Sequence, residues 1–382
     1  MKRKIAVITG TRADYGIFYH VLKEIEKHES LDLKLIVCGM HLCPEYGMTI
    51  NEIEKDGFVV SDKFETILAS DTGTAMAKSI GLSIISMAQC FDRIKPDILL
   101  ILGDRGEMLA AATAAIHMNI PVAHIHGGEV TGTVDESVRH AITKLSHIHF
   151  PANEDSMQRI IKLGEKEENI FVVGAPGLDY IKRTKYLSRI EMLKRFNLKD
   201  DKIFLLTQHP VTTERDMVGW QIRETLDAIV ELGYQTIVSY PNSDNGGREI
   251  IRIIEEYRAK YPFLKVFKNL SQVEYLSFLE IAAVMIGNSS SGIIEAPSFK
   301  LPVVNIGSRQ EGRLRACNII DVPYGKEAIK IGINKAIDDE SFKKQLENCT
   351  NPYGDGKASG KIAEILSKVL VDRKLIQKKI TY

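Results

Sequence analysis

Apolar residues arrive along this chain in two rhythms, short unbroken bursts and longer stretches of helical period. Ile98 to Leu102 is an unbroken burst, too short for a helix, and reads as a strand buried on both faces. It ends at Gly103, which leaves Asp104 and Arg105 at the carboxyl end of the strand. Met108 to Met118 is dense in Ala and predicts a tightly packed crossover helix. Val122 to Ile125 is the next strand, followed by a glycine-rich loop through Gly127, Gly128 and Glu129 to His140. Two neighbouring strands thus deliver charged groups to one sheet edge, the edge where open α/β sheets bind ligands.

The same rhythm runs through the rest of the chain. Lys4 to Thr9 is a first strand, and Ile17, Phe18, Val21, Leu22 and Ile25 follow at helical spacing. Leu33 to Val37 and Phe58 to Val60 predict two more strands, and Thr72 to Arg93 a long helix. His147 to Phe150 and Ile170 to Val173 complete a first domain over residues 1–177. Lys182 to Lys202 is charged and reads as a bridge. A second domain, 178–357, has predicted strands at Ile203 to Leu206, Thr236 to Tyr240, Leu264 to Phe267, Val284 to Ile286 and, last, Pro302 to Ile306. Helices at Trp220 to Glu231, Gly247 to Arg258, Val273 to Ile281 and Ile293 to Ser298 separate them. Alternation of this kind implies parallel sheets with helices on both faces. After the turn-rich Asn351 to Gly356, Ile362 to Lys378 reads as an amphipathic terminal helix. Two whole α/β domains would place a ligand in the cleft between their carboxyl edges.

Composition narrows the partners. Lys plus Arg and Asp plus Glu are each 50 among 382 residues, so the balanced charge gives no reason to expect nucleic acid or an anionic membrane. No apolar run approaches the ~18 residues of a membrane span. The start, Met1 to Lys4, leads straight into a strand rather than a signal peptide. The five cysteines, Cys38, Cys43, Cys90, Cys317 and Cys349, are scattered and form no C-x-x-C. They read as free thiols of a reducing, cytoplasmic compartment.

Candidate chemistry gathers at strand ends. Asp104, Glu129 and Asp135 are carboxylates near one sheet edge, able to divide acid and base roles. His124 with His126, and His147 with His149, put imidazoles on one strand face. Zinc would need further ligands that no spacing supplies, so packed, hydrogen-bonded histidines are expected and no metal. His209 stands at a strand end before Pro210. Gly10 to Gly16 is a turn before a helix, with Arg12 as a cation; it is neither G-x-G-x-x-G nor a P-loop. Gly287 to Gly292 sets Asn288, Ser289, Ser290 and Ser291 at a strand-to-helix turn, where backbone N–H groups and hydroxyls suit a diphosphate. Glu295 lies one turn on, and Arg309 adds a fork-shaped donor that matches phosphate.

Taken together, these stretches resemble the UDP-N-acetylglucosamine 2-epimerases, specifically the hydrolysing branch that feeds sialic acid synthesis. The matching pieces are Gly10 to Tyr15, Leu102 to Arg105, His126 to Asp135, Arg139 to Lys144, His209 to Thr213, Gly287 to Ser290 with Glu295, Gly307 to Gln310, and Asn351 to Gly356. The resemblance implies the GT-B architecture of two Rossmann-like domains, with the C-terminal segment 358–382 packing back on the first. It implies no metal and no nicotinamide cofactor, and a cytoplasmic homodimer. Asp104, Asp135 and His209 match catalytic positions, and Glu129 joins them as the nearest carboxylate to His126, which stands where many relatives have Glu. Arg12, Arg105, Asn242, Ser289, Ser290, Glu295 and Arg309 match the substrate-binding set.

The implied reaction is anti elimination of UDP from UDP-N-acetylglucosamine across C-1 and C-2. Water then adds to the glycal, giving N-acetylmannosamine. Asp104 or Asp135 is the expected C-2 base, with Glu129 and His209 as candidates for handling water and the returning proton. A second reading within the family takes the nucleotide-linked 4-acetamido-6-deoxy sugar of legionaminic acid synthesis. A GT-B glycosyltransferase and a non-catalytic sugar-nucleotide sensor are readings from other classes.

Overall fold

The computed structural model describes residues 2–68, 72–130, 134–241, 246–268 and 270–382, without the side chains of 134, 135 and 212. Asn242 and the side chain of Asp135 lie outside the described residues. The chain divides into two compact units, Met1–Tyr180 together with Tyr353–Tyr382, and Ile181–Pro352.

The first unit is built on strands β1 (Arg3–Thr9), β2 (Leu31–Cys38), β3 (Val60–Phe64), β4 (Ile98–Leu102), β5 (Val122–Ile125) and β6 (Ile148–Phe150). They lie side by side in the order β3-β2-β1-β4-β5-β6, every pair parallel. The second unit repeats the plan with β7 (Phe204–Thr207), β8 (Thr236–Ser239), β9 (Leu264–Phe267), β10 (Val284–Gly287), β11 (Val303–Ile306) and β12 (Ile319–Val322). Their order, β12-β11-β10-β7-β8-β9, is the same topology. This is the GT-B class fold. In each sheet the order reverses once, between β1 and β4 and between β7 and β10. Chains leaving the carboxyl ends of those two strands part to opposite sides, and the gap is where such a sheet takes a ligand.

Alternation along β1 explains why the sheet is covered on both faces. Ile5 and Val7 pack with Phe18 and Leu22 of the helix Arg12–Lys27, and with Ile362 and Leu366 near the C-terminus. Ala6 and Ile8 face the other way, onto Met87, Phe91, Met108 and Ile142. Full burial of each large apolar side chain is worth roughly 1.5–3 kcal/mol. The terminal segment is also tied by polar contacts. Arg3 donates to the Leu366 carbonyl at 2.6 Å, and the Thr381 N–H to the Gly164 carbonyl at 3.2 Å.

Several expectations need correction. The third strand begins at Val60, because Phe58 is buried in the core ahead of it. Ile170 to Val173 is extended chain with a single bridge from Ile170 to His149, and Phe171 and Val173 donate to His149 and Pro151 without completing a ladder. Pro302 to Ile306 is not the last strand, since β12 follows at the half-exposed sheet edge. The glycine-rich loop stops short of His140, for the helix Val134–Leu145 begins within it. The charged bridge contains a helix, Arg189–Phe196, opened by a capping box between Ser188 and Glu191. The terminal helix is two pieces, Ala358–Lys368 and Arg373–Ile376, the second capped by Asp372. The cysteines are not all free: Cys317 and Cys349, with Cα atoms 5.6 Å apart, are joined as a disulfide. Cys38, Cys43 and Cys90 are free, the first and third of them buried.

Candidate active site

At the carboxyl end of β1 the loop is organised by one buried carboxylate. Asp14 accepts from the Thr9 hydroxyl at 2.6 Å and from the Gly10 and Thr11 N–H groups, both at 3.1 Å. The Thr11 hydroxyl accepts the Asp14 N–H in return, which closes a capping box. The amides of Gly10 and Thr11 thus point at Asp14, and the exposed Arg12 stands 3.5 Å from Glu52.

At the end of β4, Gly103 takes a left-handed φ of 73°, and Asp104 then pairs with Arg139 of the helix Val134–Leu145. Arg139 is buried and also donates to the Glu129 carbonyl at 3.1 Å. One guanidinium therefore ties the loop after β4 to the loop after β5. His126 has a φ of 63°, unusual for a residue with a side chain, and its Nδ1–H donates to the Glu129 carboxylate at 2.5 Å. Gly128 beside it admits nothing larger, since a Cβ there would lie 2.3 Å from the Ser156 carbonyl. Asp104, Glu129 and His126 are thus held in one connected cluster. Asp135 falls in the first turn of the same helix as Arg139.

His124, His147 and His149 are buried within the first unit. His124, fully buried, donates from Nε2 to the Gly103 carbonyl at 2.7 Å, and burial pushes its pKa down to about 3. His147 accepts the Val122 N–H at 3.1 Å and is pushed down to about 4, again by burial. His149 lies 3.3 Å from Glu165. Burial opposes the charge on Glu165, yet the adjacent His149 and hydrogen bonds from Lys144 and Lys378 bring its pKa down to about 2.

Arg105 is half-buried, 3.4 Å from Glu107, and both line a cavity of about 860 Å³ in the first unit. Its other walls include Met40, Tyr46, Ile67, Leu68, Met76 and Ile80.

In the second unit the site forms around Asn288. Gly287, at a φ of 123°, is obligatory, because a Cβ would meet the Thr207 carbonyl at 2.1 Å. Asn288 is buried and its side chain accepts the His209 N–H at 2.7 Å and donates to the His209 carbonyl at 2.9 Å. Its own carbonyl accepts from Arg309 at 3.1 Å and Gln310 at 2.8 Å. Ser289 caps the short helix Ser290–Ile294, and Ser291 bonds to Glu295, whose pKa burial raises. Tyr275 packs near Ser291, Thr207 and Ser289, and its pKa is raised chiefly by burial. His209, Ser289, Ser290, Glu295 and Arg309 therefore surround the switch between β7 and β10.

Sequence reasoning gave no roles to Asp14 or Tyr275. Thr11 and Asp14 at capping-box spacing were a usable signal for the first. Tyr275 carries no local signal, being brought in by packing.

The chain matches the sequence profile of the family described as UDP-N-acetylglucosamine 2-epimerase over residues 23–367. It is 47% identical, over 99% of each chain, to the UDP-N,N'-diacetylbacillosamine 2-epimerase (hydrolysing) of Legionella pneumophila. The chain belongs to the UDP-N-acetylglucosamine 2-epimerase family, on its hydrolysing branch. Other members are similar at lower identity. The GDP/UDP-N,N'-diacetylbacillosamine 2-epimerase (hydrolysing) of Campylobacter jejuni is 40% identical over 84% of each chain. A UDP-N-acetylglucosamine 2-epimerase of Neisseria meningitidis is 36% identical over 87% of each. A solved UDP-GlcNAc 2-epimerase from Neisseria meningitidis, bound to UDP-GlcNAc, superposes with a TM-score of 0.81 at 21% identity, covering 96% of this chain and all of that one. The last likeness establishes the shared fold of these epimerases.

Proposed function

We propose that this 2-epimerase acts on UDP-N,N'-diacetylbacillosamine and water, releasing UDP and the free sugar epimerised at C-2. The observation that carries this is the 47% identity, end to end, with a relative named for that substrate; the 40% relative bears a related name. This favours what was the second reading of the sequence. UDP-N-acetylglucosamine, the first reading, retains the support of the 36% relative.

Elimination needs a base at C-2 and stabilisation of the charge that develops on the departing UDP. We assign the base to Asp104 or Asp135. Arg139 orients Asp104 from one side, which keeps its carboxylate fixed at the end of β4. Glu129, hydrogen-bonded to His126, is assigned to proton return and the attacking water. The hydroxyls of Ser289 and Ser290 and the guanidinium of Arg309 are assigned to the diphosphate, Glu295 to the ribose, and His209 to the reacting end of the nucleotide. Arg12, Arg105 and Asn242 complete the proposed binding set. A homodimer is proposed from the family resemblance, and light scattering on the purified chain checks it.

The test is an NMR time course in D2O. UDP and the epimerised free sugar should appear together, with deuterium at C-2. UDP-linked product would place the chain on the non-hydrolysing branch. A C-2 proton retained from substrate, after correction for internal return, would rule out elimination.

A further inference from the structure

The cavity beside Arg105 is larger than the charged cluster needs and has the wrong character for a phosphate. Its volume, about 860 Å³, lies within the range of roughly 300–1,000 Å³ typical of small-molecule sites. Most of its large side chains are apolar, and some are left open to solvent: Met76 is 64% exposed and Ile67 37%. It reaches the reacting edge of the sheet directly. Arg105, Gly106 and Glu107, the residues next after Asp104, form part of its wall, and a Cβ on Gly106 would lie 3.0 Å from Ile80. Glu107 is itself hemmed in, with its carboxylate 3.4 Å from where a Gly10 Cβ would stand and 3.1 Å from that of Gly39. The cavity is therefore mainly apolar, with Glu45, Ser79, Ser83, Arg105 and Glu107 as polar groups in its wall, and it adjoins Asp104 in sequence.

We propose that this cavity, walled by Met40, Ile67, Leu68, Met76 and Ile80, receives the C-4 acetamido and C-6 methyl edge of the sugar and sets the preference among nucleotide sugars. The inference rests on the proposed epimerase reading. The chemistry follows from what each sugar presents. A 4-acetamido-6-deoxy sugar offers two methyl groups to the apolar walls. Its amide N–H suits the Glu107 carboxylate and its carbonyl the Arg105 guanidinium. UDP-N-acetylglucosamine would instead bring two hydroxyls, at C-4 and C-6, and would forgo both methyl contacts with the apolar walls. Discrimination by apolar contacts of this size runs from about 10- to 200-fold.

Two variants test it. Met76→Gln changes an exposed position, where the fold tolerates a polar side chain, and Ile80→Asn changes the inner wall. For wild type and both variants, kcat/KM is measured by UDP release on UDP-N,N'-diacetylbacillosamine and on UDP-N-acetylglucosamine. UDP affinity is followed by calorimetry. We expect wild type to prefer the diacetamido substrate, and each variant to lose at least about tenfold on it while UDP-N-acetylglucosamine turnover and UDP affinity hold. A preference that survives intact in both variants, or an equal loss on both substrates, overturns the cavity's role and leaves the epimerase reading standing. A wild type that prefers UDP-N-acetylglucosamine overturns the substrate reading, and this inference with it.

Discussion

The side chain of Asn288 grips the main chain of His209 at both of its hydrogen-bonding groups, at 2.7 Å and 2.9 Å. Two loops that leave adjacent strands in opposite directions are thereby locked together. Asn288→Ala should leave a buried N–H and C=O unpaired. Stability should fall by about 1–3 kcal/mol for the lost bonds, read as a lower urea midpoint. Turnover should fall further than stability alone explains, since the His209 ring loses its fixed origin.

Asp104 and Arg139 form the matching relationship in the first unit. Asp104→Asn should still fold, but the buried guanidinium would lose its charged partner. A loss of roughly 1.5–3 kcal/mol is expected for such a bond, together with at least ~10²-fold in kcat, as for a positioned acid or base. Near-normal kcat in the folded variant would remove Asp104 from the chemistry.

Glu129 and His126 share one short hydrogen bond, and steady-state kinetics can rank them. Glu129→Gln should lose on the order of 10²-fold or more in kcat. His126→Gln, which keeps a donor toward Glu129, should be much milder. The reverse ranking would mean that the imidazole carries the proton.

Arg309 donates to the Asn288 carbonyl and is assigned to the diphosphate. Arg309→Ala should weaken UDP binding by about 1.5–3 kcal/mol, typical of a lost charge-assisted hydrogen bond. Unchanged affinity by calorimetry would move the diphosphate elsewhere.

The buried histidines make stability depend on acid. His124 sits at about 3 in the fold, against roughly 6.5 when unfolded. Within that window the unfolded chain binds more protons, so stability is present at neutral pH and declines as pH drops below ~6.5. Between pH 7 and 5 the decline from His124 should be about 2 kcal/mol, at ~1.4 kcal/mol per pH unit. His124→Gln should show a shallower fall in urea midpoint over the same range. Equal slopes would contradict the burial argument.

What the sequence disclosed and what it hid divide along physical lines. β4 and β5 were legible because central parallel strands are unbroken apolar runs, buried on both faces. β12 was missed because a short, half-exposed edge strand has no such run. The helix Val134–Leu145 was read as loop because its glycine-rich approach drew attention, although Val138, Ile142 and Leu145 carry helical period. The charged members of the site were visible as residue types at strand ends. Their partners were less so: Arg139 was visible as a cation able to pair with these carboxylates, but nothing local singles out Asp104, and nothing in Tyr275 says that it packs near Ser289. Such pairings belong to the tertiary arrangement rather than to any segment.

The first unit draws its last residues, Tyr353–Tyr382, from the far end of the chain, and this sets a schedule for the ribosome. Ile5 and Phe18 are among the first core residues to be made, yet Ile362, Leu366 and Leu375, which share their core, are among the last. The second unit is one continuous segment, complete before those residues emerge. The half that is translated first is therefore the half that finishes folding last. A premature stop between Pro352 and Ile362 would spare the younger half and leave the older one open along its helix Arg12–Lys27.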